Sequence, residues 1–232
     1  MKKIRILIVD DERAARNEIK RLLANYPDFE IIGEAANADD AIKMMGEQAP
    51  DLLFLDIQMP EKSGFDLLES LEQVPPVIFT TAYDQYAVKA FEVSALDYLV
   101  KPIREERFEK AILQARLRLG KADPAGQIFV KDRQQYHFIQ WSSVHLIESM
   151  DNYARIFFGD KNVFMKSSLN QLEDKLNSEL FFRINRAQII NRQYIQAITT
   201  VDGRLKIILN TGARLEVSER QSAKFRHWAA SK

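Results

Sequence analysis

Ile4-Arg5-Ile6-Leu7-Ile8-Val9-Asp10-Asp11-Glu12 is the stretch on which the fold turns. A mostly aliphatic, β-branched run stops abruptly at three acids. Such a run lacks the alternation of a half-exposed strand. It reads as a strand buried on both faces, the mark of a parallel sheet covered by helices. The pattern recurs down the chain. Strands are expected at 29–35, at 52–55 ending on Asp56, at 77–80 and at 97–100. Between and after them lie helical spacings at 14–25, 38–47, 65–71, 85–93 and 104–119, with Asn37 placed to cap the second. Strand–helix alternation of this kind predicts an α/β doubly wound, five-stranded parallel sheet.

The composition narrows the field. The chain has 232 residues and no cysteine, which excludes a disulfide scaffold, a thiol nucleophile and any thiolate metal site. No apolar run approaches the roughly 18 residues of a membrane span. Met1-Lys2-Lys3 ahead of the first apolar run resembles a signal peptide, but that run is too short and no cleavage site follows. A buried strand and a cytoplasmic protein are expected. The formal net charge is zero, yet residues 1–120 carry 16 basic and 22 acidic side chains, and residues 121–232 carry 17 and 11. A half at −6 is joined to a half at +6, which argues for two domains. The expected boundaries are 1–119, a linker at 120–127 containing Gly120, Pro124 and Gly126, and 128–232. The second part reads as a small, mostly β module. Strands are expected at 128–131, 136–140, 144–149, 153–158, 163–166, 195–201, 205–209 and 214–217. Asp202-Gly203 is a hairpin turn, and helices fall at 169–176 and from 219 to about 230.

In a sheet of order 2-1-3-4-5, the first and third strands are neighbours at the switch point where ligands bind. Asp10 and Asp11 would then meet Asp56 across about 45 residues of sequence. Close carboxylates repel unless a cation neutralises them, and Mg²⁺ suits oxygen ligands beside a phosphate. The other strand ends supply a hydroxyl, Thr81, and an ammonium, Lys101. These are the parts of an aspartyl-phosphate site. The plainer reading of each acid is a cap or turn residue, and of Asp10–Glu12 a solvated helix N-terminus.

Val9-Asp10-Asp11-Glu12, Leu55-Asp56-Ile57-Gln58-Met59-Pro60, Thr80-Thr81-Ala82 and Asp97-Tyr98-Leu99-Val100-Lys101-Pro102 resemble, in order and spacing, the successive motifs of the two-component receiver domain. The resemblance implies a flavodoxin-like domain in which Asp56 accepts phosphate from a sensor histidine kinase. Asp10, Asp11, Asp56 and the backbone carbonyl of Gln58 would bind Mg²⁺. Thr81 and Lys101 would contact the phosphoryl group, Tyr98 would be the switch aromatic, and the bond before Pro102 would be cis. It also implies a homodimer through the 84–119 face, whose mixed charges (Tyr86, Lys89, Glu92, Asp97, Arg104, Glu105, Arg107 and Arg116 lie on it) equally suit a solvated face.

In the basic half, Arg183, Arg186, Arg192, Arg214, Arg220, Lys224 and Arg226 lie among amides such as Asn185, Gln188 and Asn191. Arginine and lysine bind phosphates, and arginine and amides read base edges, but charged faces are commonly just solvated. Glu148–Tyr153, Lys166–Leu169, Phe181–Asn191 and Leu215–Ser218 resemble the LytTR DNA-binding domain, making the whole chain similar to a LytR/AlgR-type response regulator. That implies a ten-stranded β fold that inserts loops into successive major grooves of double-stranded DNA at promoter direct repeats. By position, Lys166, Arg186 and Arg220 lead the expected DNA contacts, followed by Arg183, Asn185 and Lys224. Tyr153 and Phe182 are expected in the core, and Asn191 is either a contact or a turn cap. The pattern departs from the family at Asn185-Arg186-Ala187, at Glu219, which would repel phosphate, and at Lys166, which lacks the fork of an arginine. The function implied is a phosphorylation-activated transcriptional regulator rather than a metabolic enzyme. The alternatives are a basic protein-interaction output module and a haloacid-dehalogenase-type phosphohydrolase. The latter needs Asp-x-Asp after its first strand, where this chain has adjacent acids.

Overall fold

The structure, a computed structural model, describes residues 3–82, 95–119, 126–133 and 135–230. The helix expected at 85–93 and most of the expected linker lie outside the described residues. So do Tyr86, Lys89 and Glu92. The chain divides into two compact units, Met1–Phe138 and Ile139–Lys232.

The first unit is built on β1 (Ile4–Val9), β2 (Phe29–Ala35), β3 (Leu52–Asp56), β4 (Val77–Thr81) and β5 (Asp97–Val100), in the order β2-β1-β3-β4-β5. All four pairings are parallel. Helices α1 (Arg13–Leu23), α2 (Ala38–Glu47), α3 (Gly64–Ser70) and α4 (Glu105–Leu119) connect and cover it. The expected doubly wound α/β fold is the observed one, and its cause is visible in the period-two alternation of the central strands. Leu7, Val9, Leu53, Leu55 and Phe79 face one way, against Ala38, Ala41, Phe65 and Leu68. Ile6, Ile8, Phe54 and Ile78 face the other, against Ile19, Leu22, Phe108 and Ile112. Every residue of β3 and β4 is buried, so neither strand has a solvent face. The caps are chemical as well as positional. Asn37 accepts from the Asp40 amide, and Ser63 and Asp66 form a reciprocal capping box.

The first unit also holds β6 (Gln127–Asp132) and most of β7 (Gln135–Gln140), which form a two-stranded hairpin. Its rings join the first unit's core: Phe129 is buried there and Tyr136 and Phe138 pack against it.

In the second unit, β8 (Val144–Met150), β9 (Tyr153–Phe158), β10 (Lys161–Met165), β11 (Phe181–Asn185) and β12 (Gln188–Asn191) form a sheet of order β10-β9-β8-β12-β11. Three more strands, β13 (Ile195–Val201), β14 (Arg204–Leu209) and β15 (Arg214–Glu216), make a second sheet. Helices α5 (Leu169–Glu173) and α6 (Glu219–Ala230) complete it. Ile184, Ile190, Leu205, Ile207, Leu209 and Phe225 form its core. Asp202 and Gly203 both take positive φ, 52° and 77°, so the β13–β14 turn matches the twist of its strands and needs glycine at its second position. Ten strands follow residue 126 among the described residues, in sheets of two, five and three. Strands β11 and β12 were not expected from the apolar pattern. Arg183, Asn185, Gln188 and Asn191 give them the look of a polar patch.

Candidate functional site

Register builds the acidic site. Val9 pairs with Leu55, Asp56 with Thr80 and Thr81 with Val100, so the residues at and just beyond these positions share one edge of the sheet. Asp10, Asp11 and Asp56 each offer a carboxylate oxygen, all within 4.8 Å of one another. Asp10 is fully buried and Asp56 nearly so, while Asp11 is exposed. The two buried carboxylates are held alike. Asp10 Oδ1 accepts from the Glu12 amide at 3.0 Å, and Asp56 Oδ1 accepts from the Gln58 amide at 3.0 Å. Both second oxygens turn to Lys101, whose Nζ lies 2.7 Å from each. That ammonium donates a hydrogen bond to Asp56. Asp10 Oδ2 has the charge contact but no well-aligned hydrogen bond.

Burial pushes the Asp10 carboxyl above its ordinary range. Lys101 opposes the rise and the Asp56 charge adds to it. Burial would lower the Lys101 ammonium, but its close contacts with the Asp10 and Asp56 carboxylates outweigh that and hold it above the usual lysine range. One ammonium thus serves two carboxylates, with a third beside them. The cluster is short of positive charge, and Asp10 Oδ2 is a buried acceptor without a proper donor. A divalent cation fits both deficits.

The backbone around the cluster is fixed by further contacts. The Lys101 amide donates to the Thr81 carbonyl at 2.8 Å, and the Lys101–Pro102 peptide is cis. Thr81 is buried, and so is the Tyr98 ring. Two residues here were not singled out in the sequence. Arg16 Nη1 donates to the carbonyls of Asp10 at 2.7 Å and Asp11 at 3.2 Å, clamping the acid pair. At Gly64, a Cβ would stand 2.2 Å from the Asp56 carbonyl oxygen, so only glycine lets α3 start this close to Asp56. A basic residue one turn into the following helix, and a glycine opening a helix after a strand-end acid, are the signals that mark them.

The second unit gathers its basic residues at one end of its five-stranded sheet. Met150 pairs with Tyr153 across the β8–β9 turn, and Met165 with Ala154, so Lys166 follows at the same end. The Ser149 amide donates to the Ala187 carbonyl at 2.8 Å, which brings the β11–β12 turn and Arg186 there too. Ser218 N donates to Ile184 O at 3.0 Å and Asn185 Nδ2 to Glu216 O at 3.0 Å, which adds the start of α6 and Arg220. Lys224 lies about one turn further along α6.

The expected contacts separate into two kinds. Lys166, Arg186, Arg220 and Lys224 are exposed, and their side chains make no hydrogen bond or ion pair with the described residues. Arg183 is engaged: it donates to Asn170, to Glu173 at 3.0 Å and to the Arg186 carbonyl at 3.0 Å. Asn185 bonds Gln188, the Glu216 carbonyl and the Ala187 amide. Asn191 is fully buried and caps its turn, accepting from the Gln193 amide and donating to the Val144 carbonyl. Tyr153 departs from the core position expected of it. It is 47% exposed at the basic end, beside the β8–β9 turn. Phe182 packs on Phe225 and Trp228 with ring centroids 5.5 and 5.0 Å apart.

Residues 6–113 match the profile of the response regulator receiver domain, and residues 134–230 that of the LytTr DNA-binding domain. The chain is 35% identical to the sensory transduction protein LytT of Enterococcus faecalis, over 95% of this chain and 97% of that one. It is 37% identical to the transcriptional regulatory protein BtsR of Salmonella typhi, over 94% and 95%. It is 34% identical to LytT of Bacillus subtilis, over 93% and 94%. The chain belongs to the LytTR response regulators. Its acidic cluster therefore sits in a receiver domain, and its basic edge in a LytTr domain. In this response regulator several of the charges on β5 and α4 are paired within the chain. Arg107 pairs with Asp97, Arg116 with Asp28 at 2.7 Å and Glu105 with Arg21 at 3.1 Å. Leu113 and Leu117 stand out from α4, 55% and 63% exposed. No described helix is long and apolar enough to cross a membrane.

Proposed function

We propose that this response regulator takes a phosphoryl group on Asp56 from a sensor histidine kinase in the cytoplasm, and that this controls how the basic edge binds double-stranded DNA at promoter direct repeats. The observation that carries the reading is the shared ion contact. Asp10 and Asp56 turn one oxygen each to a single Lys101 while Asp11 lies beside them. Asp10, Asp11, Asp56 and the Gln58 carbonyl would hold Mg²⁺. The ion supplies charge neutralisation for the carboxylates and the incoming phosphoryl oxygens. In the transfer, a carboxylate oxygen of Asp56 bonds to phosphorus as the P–N bond of the phosphohistidine breaks, and the imidazole leaves with that electron pair. The Gln58 amide orients the Asp56 carboxylate. Lys101, already at the site, stays close enough to meet the new charge. The added group carries roughly −1.5 to −2. Thr81 and Lys101 are drawn to it, and Tyr98 repacks beside them. Hydrolysis of the aspartyl-phosphate resets the switch, so the protein is a regulator and not a metabolic enzyme.

For DNA, Lys166, Arg186, Arg220 and Lys224 offer cations with no partner among the described residues, and Arg183 and Asn185 shape the turn that carries Arg186. By sequence the boundaries 1–119, 120–127 and 128–232 divide receiver, linker and DNA-binding module, with the described residues of 127–138 packing in the first unit. A homodimer through the 84–119 face would use Leu113 and Leu117, which stand exposed on α4. Incubation with acetyl phosphate and Mg²⁺ tests the switch: the wild type incorporates phosphate and Asp56→Asn does not. Uptake by Asp56→Asn at the wild-type rate would place the acceptor elsewhere.

A further inference from the structure

The hairpin of β6 and β7 leads directly into the second unit, yet its rings belong to the receiver core. Tyr136 stacks on Phe65 with centroids 4.4 Å apart and planes 15° from parallel. Phe129 stacks on Tyr136 at 5.4 Å and meets Phe138 edge-on at 4.9 Å. Phe138 reaches Phe79 at 6.4 Å. The hairpin backbone is tied in as well: the Val74 amide donates to the Gln127 carbonyl at 3.0 Å, and Gln127 Nε2 to the Pro75 carbonyl at 3.1 Å.

Three residues of the acidic site connect to this ring cluster. Asp56 reaches it through Gly64, whose Cα lies hard against the Asp56 carbonyl and whose neighbour is Phe65. Thr81 reaches it along β4, two residues from Phe79. Tyr98 is a register partner of Phe79 and a member of the same cluster. A half-open pocket of about 290 Å³, lined by Val77, Ala95, Leu96, Gln127 and Phe138 among others, lies beside the rings. Close-packed interiors switch between discrete arrangements, so a small displacement at one end is passed on as a repacking.

We propose that the phosphorylation state of Asp56 sets the packing of the 127–138 hairpin through Phe65, Phe79 and Tyr98, with Tyr136 and Phe129 as the receiving rings. The signal then leaves the receiver through the chain segment that continues into the DNA-binding module. This rests on the reading of Asp56 as phosphoacceptor. The full-length protein is treated with acetyl phosphate and Mg²⁺. Phosphate on Asp56 and amide hydrogen exchange across 127–140 are then measured in the same samples. The expected result is a change of about threefold or more in hairpin exchange on phosphorylation, absent in Asp56→Asn. Tyr136→Leu is expected to take up phosphate at the wild-type rate and lose the exchange difference, and Tyr136→Phe to keep it. Normal phosphate uptake with altered exchange near Thr81 and Lys101 but none in the hairpin would overturn the proposal. So would a difference that survives Tyr136→Leu. Failure to incorporate phosphate at all would instead overturn the phosphoacceptor reading beneath it.

Discussion

The receiver and the LytTr domain each gather charge at one end of a sheet, but they treat it in opposite ways. At the receiver edge two of the three acids are buried and packed around one ammonium, and backbone amides aim them. At the LytTr edge the leading basic groups stand in solvent without partners among the described residues, and the amides between them serve the fold. The difference follows from what each edge meets. A site for a small, highly charged group works when its dipoles are fixed beforehand. A surface for a long polyanion needs cations that lose little solvation until counterions are released.

The sharpest break of that comparison is at Asp56. Asp56→Asn should abolish phosphate uptake from acetyl phosphate, measured by incorporated label, while leaving duplex binding at low salt in place. A variant that loses both would show that the two edges are not separable functions. Next comes Gly64→Ala. Its Cβ would stand 2.2 Å from the Asp56 carbonyl oxygen, so backbone must shift. Overpacking of this kind costs about 1–3 kcal/mol. The urea midpoint should fall, and phosphorylation should slow more than stability alone explains.

The arginines sharpen the comparison within the basic edge. Arg186→Ala should weaken duplex binding and reduce the salt slope by about one unit, at unchanged stability. Arg183→Ala should do the reverse. It removes hydrogen bonds to Asn170, Glu173 and the Arg186 carbonyl. The second unit should lose about 1–2 kcal/mol in denaturant. Equal stability losses for the two variants would erase the division between spent and free cations.

The smallest effect is at His145, which is buried with Nδ1 unbonded and between the rings of Phe157 and Tyr194. Burial pushes its pKa below the ordinary value. The folded state then binds fewer protons than the unfolded chain, so acid favours unfolding. The second unit's stability should be level above pH 7 and decline as the pH falls below about 6.5, the unfolded value. The decline should vanish in His145→Phe. A wild-type profile that is flat from pH 7 to 5 would contradict it.

Much of the receiver was legible in the chain because its logic is local. Val9-Asp10 and Leu55-Asp56 mark strand ends by a change from apolar to acidic, and the unbroken apolar runs say that both faces are buried. Gly64 and Arg16 escaped because their work is done on backbone carbonyls, and carbonyls leave no mark in a sequence. Strands β11 and β12 escaped for a related reason. Arg183, Asn185 and Asn191 look like a nucleic-acid patch when read in a line, yet their hydrogen bonds run to residues as far off as Val144 and Glu216. Tyr153 shows the converse: an aromatic in a strand pattern signals a core, yet beside the β8–β9 turn it stands 47% exposed.

By itself the sequence determined the parallel sheet, the acids at its edge and the split of a neutral chain into acidic and basic halves. These depend on residue type and on periods of two and about four along the chain. Only the tertiary structure decided which polar groups are spent and which are free. It also decided that one lysine serves two aspartates, and that the rings of 127–138 pack in the receiver core. Those outcomes depend on partners far away in sequence. A hydrogen bond or a stacked ring satisfies a group only once the fold has brought that partner within reach.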